Sequence, residues 1–99
     1  MATLTITESN GVYSPSSNPM NVPKSDGHLA IKAPTDGCLI CLQPEIDGET
    51  AYYVKPETTV DLSQYPEGTT WHYRIYAYTT TTCPPGLIQD VAHTITVTS

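Results

Sequence analysis

His93-Thr94-Ile95-Thr96-Val97-Thr98 sets an aliphatic residue between threonines, step after step. Side chains of a β-strand point to alternate faces, so this stretch reads as a strand with Ile95 and Val97 inward and the threonines outward. Thr3-Leu4-Thr5-Ile6-Thr7 repeats the pattern near the other end of the chain. Leu29–Ala33, Cys38–Gln43, Ala51–Lys55, Thr58–Leu62 and Trp71–Thr79 lie between them, which makes seven strands. No window carries the i, i+3, i+4, i+7 apolar stripe of a helix. Sixteen threonines, seven isoleucines and six valines among 99 residues make β-branched side chains nearly a third of the chain. Seven tyrosines join them, and both kinds suit pleated surfaces better than helices.

The punctuation falls between these strands. Asn10-Gly11, Asp26-Gly27, Asp36-Gly37 and Asp47-Gly48 are turn dipeptides, and Glu67-Gly68 and Pro85-Gly86 supply the remaining glycines. The nine prolines lie mostly between strands, where a missing N–H costs no ladder bond. Short strands at this spacing predict an all-β fold, a two-sheet antiparallel sandwich of about seven strands forming one domain over residues 1–99. Two connections exceed what hairpins need. One runs from Asn10 to Gly27, with a short edge strand possible at Val12-Tyr13; the other runs from Thr79 to Asp90. Long loops in compact domains commonly carry function.

Ten acidic residues against four basic ones give a formal charge of −6, which repels a phosphate backbone and argues against nucleic acid as partner. The longest apolar run, Cys38-Leu39-Ile40-Cys41-Leu42, is too short to span a bilayer as a helix. Residues 1–50 hold six acids and two bases (−4) and residues 51–99 four and two (−2), so no charge block marks a tail. Three cysteines, no glycosylation sequon and a first stretch without a signal-peptide pattern predict a protein used outside a secretory route.

Tyr65-Pro66-Glu67-Gly68-Thr69-Thr70-Trp71-His72-Tyr73-Arg74-Ile75-Tyr76-Ala77 resembles the E–F corner and strand F of fibronectin type III domains. Tyr65 takes the apolar position, Gly68-Thr69 match, and Trp71 stands where that family's corner tyrosine is expected; Tyr73, Ile75 and Ala77 follow at inward positions. The proline comes one place early, with Glu67 where the family has it. Leu29–Ala33 sits where strand B would, without the family's core tryptophan, and the final threonine-rich stretch resembles strand G. The resemblance covers roughly a third of the chain and implies an immunoglobulin-like sandwich; fold alone assigns no function.

Catalytic and metal-binding chemistry find little footing. Cys38 and Cys41 have zinc-knuckle or redox spacing, yet positions three apart on a strand face opposite ways, so they read as buried small hydrophobes. Cys83, in the second long loop, reads first as a free thiol, the alternative being a bridge to Cys38, to Cys41 or to a neighbouring chain. His28, His72 and His93 are scattered over different strands, no Cys–His–Met set suits copper, and His93 reads as a hydrogen-bonded core or edge histidine. Glu45, Asp47 and Glu49 offer too few oxygens for a calcium loop. No nucleophile motif stands out, so no cofactor, metal or catalytic residue is expected and the chain reads as non-enzymatic.

The outward face of strand F is more informative. With Trp71, Tyr73, Ile75 and Ala77 inward, His72, Arg74, Tyr76 and Tyr78 point outward, and the family's pairing brings Tyr53 and Lys55 to the same face. Tyrosine with arginine is the composition of interface hot spots. Leu87 and Ile88 at the second loop's tip are further candidate contacts. The expectation is a structural or interaction module that docks on or builds a larger assembly by protein contact or self-assembly. By analogy with small acidic sandwich modules it is an accessory protein of a bacteriophage virion, a capsid decoration or tail component at the virion surface. The alternative is a carbohydrate-binding or adhesin module, with Tyr13, Tyr53, Tyr76 and Tyr78 stacking on sugars and Asn18, Asn21 or Asp90 bonding hydroxyls.

Overall fold

A computed structural model describes residues 2–46, 48–79 and 93–99 of the chain. They form nine strands and no helix: β1 (Ala2–Ser9), β2 (Val12–Pro15), β3 (Met20–Pro23), β4 (His28–Lys32), β5 (Cys38–Ile46), β6 (Glu49–Val54), β7 (Glu57–Asp61), β8 (Thr70–Ala77) and β9 (His93–Thr98). One sheet runs β2-β1-β4-β7 and the other β3-β9-β8-β5-β6. Both contribute to one hydrophobic core. Leu4, Ile6, Leu29, Ile31, Val60 and Leu62 come from the first side; Val22, Cys38, Ile40, Val54, Trp71, Tyr73, Ile95 and Val97 come from the second.

All seven expected strands are present, six within one or two residues and β5 three residues longer at its end, and alternation sends most of the expected residues inward. Two features correct the sequence reading. The long first connection holds the expected edge strand, since the Asn10-Gly11 turn, with φ of 52° and 81°, folds β2 back onto β1, and it adds a strand the sequence reading lacked, β3. That strand crosses to the edge of the other sheet. The sheets are also mixed rather than antiparallel throughout, because β1 runs parallel to β4 and β3 parallel to β9. Parallel neighbours need long connections, and each of these pairs has one. Leucine, isoleucine and valine alternate identically whichever way the neighbouring strand runs, so the pattern could not reveal direction.

The corner between β7 and β8 fixes the start of β8. Lys24 donates from Nζ to the carbonyls of Ser63 and Tyr65, each at 2.8 Å. The Gly68 N–H donates to the Val97 carbonyl and the Val97 N–H to the Thr69 carbonyl, tying the corner to β9. Tyr65 packs edge-on against Trp71 with ring centres 4.9 Å apart. Trp71 and Tyr73 are fully buried, whereas Ile75 and Ala77, expected inward as well, are only partly covered toward the end of the strand.

Gly37, in the turn before β5, has φ of 77° and no room for a side chain. An added Cβ would lie 2.9 Å from both Tyr78 Cδ2 and the Val54 carbonyl oxygen, and 3.0 Å from Lys55 Cβ. The carbonyl belongs to a buried strand end and cannot step aside. Gly37→Ala is therefore expected to destabilise the fold by about 1–3 kcal/mol in urea denaturation. A change under about 0.5 kcal/mol would place this turn elsewhere.

Candidate functional site: the tyrosine face of the second sheet

Register assembles the site. On β5, Leu39 lies opposite Tyr76 of β8 and opposite Tyr53 of β6; Cys41 lies opposite Arg74 and Ala51; Gln43 lies opposite His72. Directly opposed residues share a face. His72, Arg74, Tyr76 and Tyr53 therefore stand together on the side away from the core, as alternation along β8 requires. Tyr78 and Lys55, just beyond the ends of β8 and β6, join them. The Tyr53 and Tyr78 rings meet edge-to-face, 5.7 Å apart at 73°, and Lys55 Nζ sits 5.2 Å from the centre of the Tyr78 ring. A cation over an aromatic face adds attraction from the ring's quadrupole.

Exposure varies across this surface. Tyr53 and Tyr78 are 46% and 39% exposed, placing them with Val12 as the large exposed hydrophobics among the described residues. His72 and Lys55 are also exposed, and Arg74 and Tyr76 are half-buried. Leu39 and Cys41, on the same side of β5, are fully buried. Leu87 and Ile88 lie outside the described residues, as do Cys83, Asp90 and Asp47.

Charge is distributed unevenly among the four lysines and arginines. Lys24 is held by carbonyls, and Lys32 pairs with Glu57 at 3.9 Å. Among the described residues Lys55 and Arg74 have no carboxylate within 4.0 Å. Both belong to the tyrosine face. In a chain of net charge −6, the two cations that have no ionic partner among the described residues are thus gathered beside its exposed tyrosines.

Of the two strand cysteines, Cys38 follows the sequence reading and Cys41 departs from it. Cys38 is a free thiol in the core, and burial pushes it up to about 11, which leaves it unreactive at neutral pH. Cys41 is buried as expected but is disulfide-bonded, the state the sequence reading held only as an alternative. Alternation correctly placed the two on opposite faces of β5; a strand pattern carries no signal for oxidation.

His93 also differs from expectation. It is half-buried with its ring 5.3 Å from that of Tyr73, and its Nδ1 has no hydrogen bond. Burial, and secondarily the charge of Arg74, lower its pKa below the ordinary histidine value. The folded state thus prefers neutral His93, while the unfolded chain takes up a proton near pH 6.5. Its contribution is present above that pH and is lost as pH falls toward the folded value. Urea midpoints should decline between about pH 7.5 and 5.5, and His93→Gln should flatten that decline. An unchanged slope in the variant would assign the effect to another group.

Sequence reading missed one polar constellation. Asp61 Oδ1 accepts from Ser63 Oγ at 2.6 Å and from the Ser63 N–H at 2.9 Å, and these bonds lower its pKa. His28 Nε2 lies 3.8 Å from the same oxygen. Here the carboxylate, and not the imidazole, holds the hydroxyl, so nothing withdraws the serine's proton; the set is an exposed turn closing β7. Among the described residues no three His, Cys, Asp or Glu converge as a metal site, and no helix is long and apolar enough to cross a membrane. No protein-family profile, curated protein or solved structure matches the chain.

Proposed function

We propose that this chain is a non-enzymatic interaction module, an immunoglobulin-like sandwich of fibronectin III character, that docks on or builds a larger assembly through its tyrosine face. One observation carries the reading: exposed Tyr53 and Tyr78 stand with Lys55 and Arg74, cations that have no carboxylate partner among the described residues. Aromatic area beside arginine is what protein interfaces concentrate. The immunoglobulin-like part is supported by the β4–β7 pair in one sheet and the β5-β8-β9 neighbours in the other, the places strands B, E, C, F and G take in such domains. The setting that best fits is a bacteriophage particle, as capsid decoration or tail component. Exposed Thr3 and Thr7 of β1 suit a surface bathed in solvent.

A glycan-binding module would want an open row of coplanar rings. Tyr53 and Tyr78 meet at 73°, which suits a side chain lodged against them better than a flat sugar face. The first test is molar mass by size-exclusion chromatography with light scattering, over a concentration series with and without reductant. A defined assembly that survives reductant and is lost in Tyr53→Ala supports the reading. A monomer that binds glycans through Tyr53 and Tyr78 would overturn it.

A further inference from the structure

The β5–β6 hairpin carries unlike charge at its two ends. At the turn end, Glu45 and Glu49 are exposed, and neither has an ionic partner among the described residues. At the opposite end Lys55 follows β6 and lies over Tyr78 beside exposed Tyr53. Arg74 stands between, opposite Cys41. Glu57, the carboxylate nearest Lys55 in sequence, is taken by Lys32. The hairpin's ends are separated by most of the nine-residue β5, roughly 26 Å at the rise of an extended strand. Lys55 therefore lies beyond reach of the acidic turn within one copy, and Arg74, opposite Cys41, has no carboxylate within 4.0 Å among the described residues.

We infer that turn and face satisfy one another between copies: the acidic β5–β6 turn of one chain docks on the Lys55/Arg74/Tyr53/Tyr78 face of a second. This rests on the proposed docking role of that face and names its occupant. Joining two different patches makes the contact head-to-tail, which propagates into a ring or a filament rather than stopping at a dimer. Glu45 and Glu49 supply the charge complementary to Lys55 and Arg74, and Tyr53 and Tyr78 supply contact area around it.

Sedimentation velocity on the intact chain tests this, with Lys55→Glu and the double variant E45K/E49K, all substitutions at exposed positions; dispersed amide NMR spectra verify folding. Wild type should associate with rising concentration, and raising salt to about 0.5 M should weaken association roughly tenfold, since screening then acts within a few ångströms. Each variant alone should be monomeric. Mixed one to one, they should associate again, because a basic turn now meets an acidic face. Association of wild type that neither variant disturbs overturns the inference and removes the docking role from this face. A wild-type monomer at all concentrations overturns the inference alone. In that case a hexaglutamate peptide that shifts the amides of Tyr53, Lys55 and Tyr78 keeps the face as a docking site for a foreign acidic chain. No shift there ends that reading too.

Discussion

Trp71→Ala is expected to lower the free energy of unfolding by about 3–5 kcal/mol, the range for removing a large buried aromatic. Trp71 is fully buried at the start of β8, opposite Ile95 of β9 and edge-on to Tyr65. Truncation opens a cavity between the sheets and frees Tyr65, whose backbone carbonyl Lys24 holds in the corner. Domains of this size have only about 5–15 kcal/mol in hand, so the variant should unfold early in urea, with the slope of the transition unchanged. Trp71→Phe should cost less. Trp71 Nε1 is buried without a hydrogen-bond partner, and phenylalanine removes that orphan while keeping most of the ring. A loss under about 1 kcal/mol for the alanine variant would mean that β8 does not present this face to the core.

Reduction should produce the second large effect. Cys41 is disulfide-bonded on the outward side of β5, and breaking a native bridge in a small domain costs about 2–4 kcal/mol by releasing the unfolded chain. Urea midpoints measured with and without reductant give the difference directly. Peptide mapping after alkylation of the denatured, unreduced protein should find Cys38 labelled and Cys41 protected. In the folded protein Cys38 should resist labelling too, because it is buried and its thiol is held up to about 11. Equal labelling of Cys38 and Cys41 before reduction would mean that no bridge is present. The tyrosine face lies on the same side of β5, so the same samples show whether its association depends on the bridge.

Much of the candidate site could be read from residues 71 to 79. Alternation placed Trp71 and Tyr73 inside and His72, Arg74 and Tyr76 outside, because an extended strand leaves no other choice. Tyr53 and Lys55 were placed only through the pairing that the fibronectin III resemblance implies, and the register of β6 on β5 sets Tyr53 on that face. The Lys55–Tyr78 contact was not legible. It depends on Gly37 leaving space at a turn distant from Tyr78 in sequence, and no spacing rule connects the two. That Lys55 and Arg74 have no carboxylate partner among the described residues was equally hidden, since it emerges only once Lys24 is seen held by the corner after β7 and Lys32 by Glu57.

By itself the sequence determined that this chain is all-β, where its main strands lie and which side chains each turns inward. These follow from steric preference and a period of two, both properties of a single strand. The tertiary structure alone decided that β1 and β3 join different sheets in parallel, that Cys41 is oxidised while Cys38 is not, and that two cations with no carboxylate partner among the described residues share one face with the exposed tyrosines. Each of those depends on which distant strands become neighbours. That choice is made by burial of the whole core, a sum over both sheets that no local pattern contains.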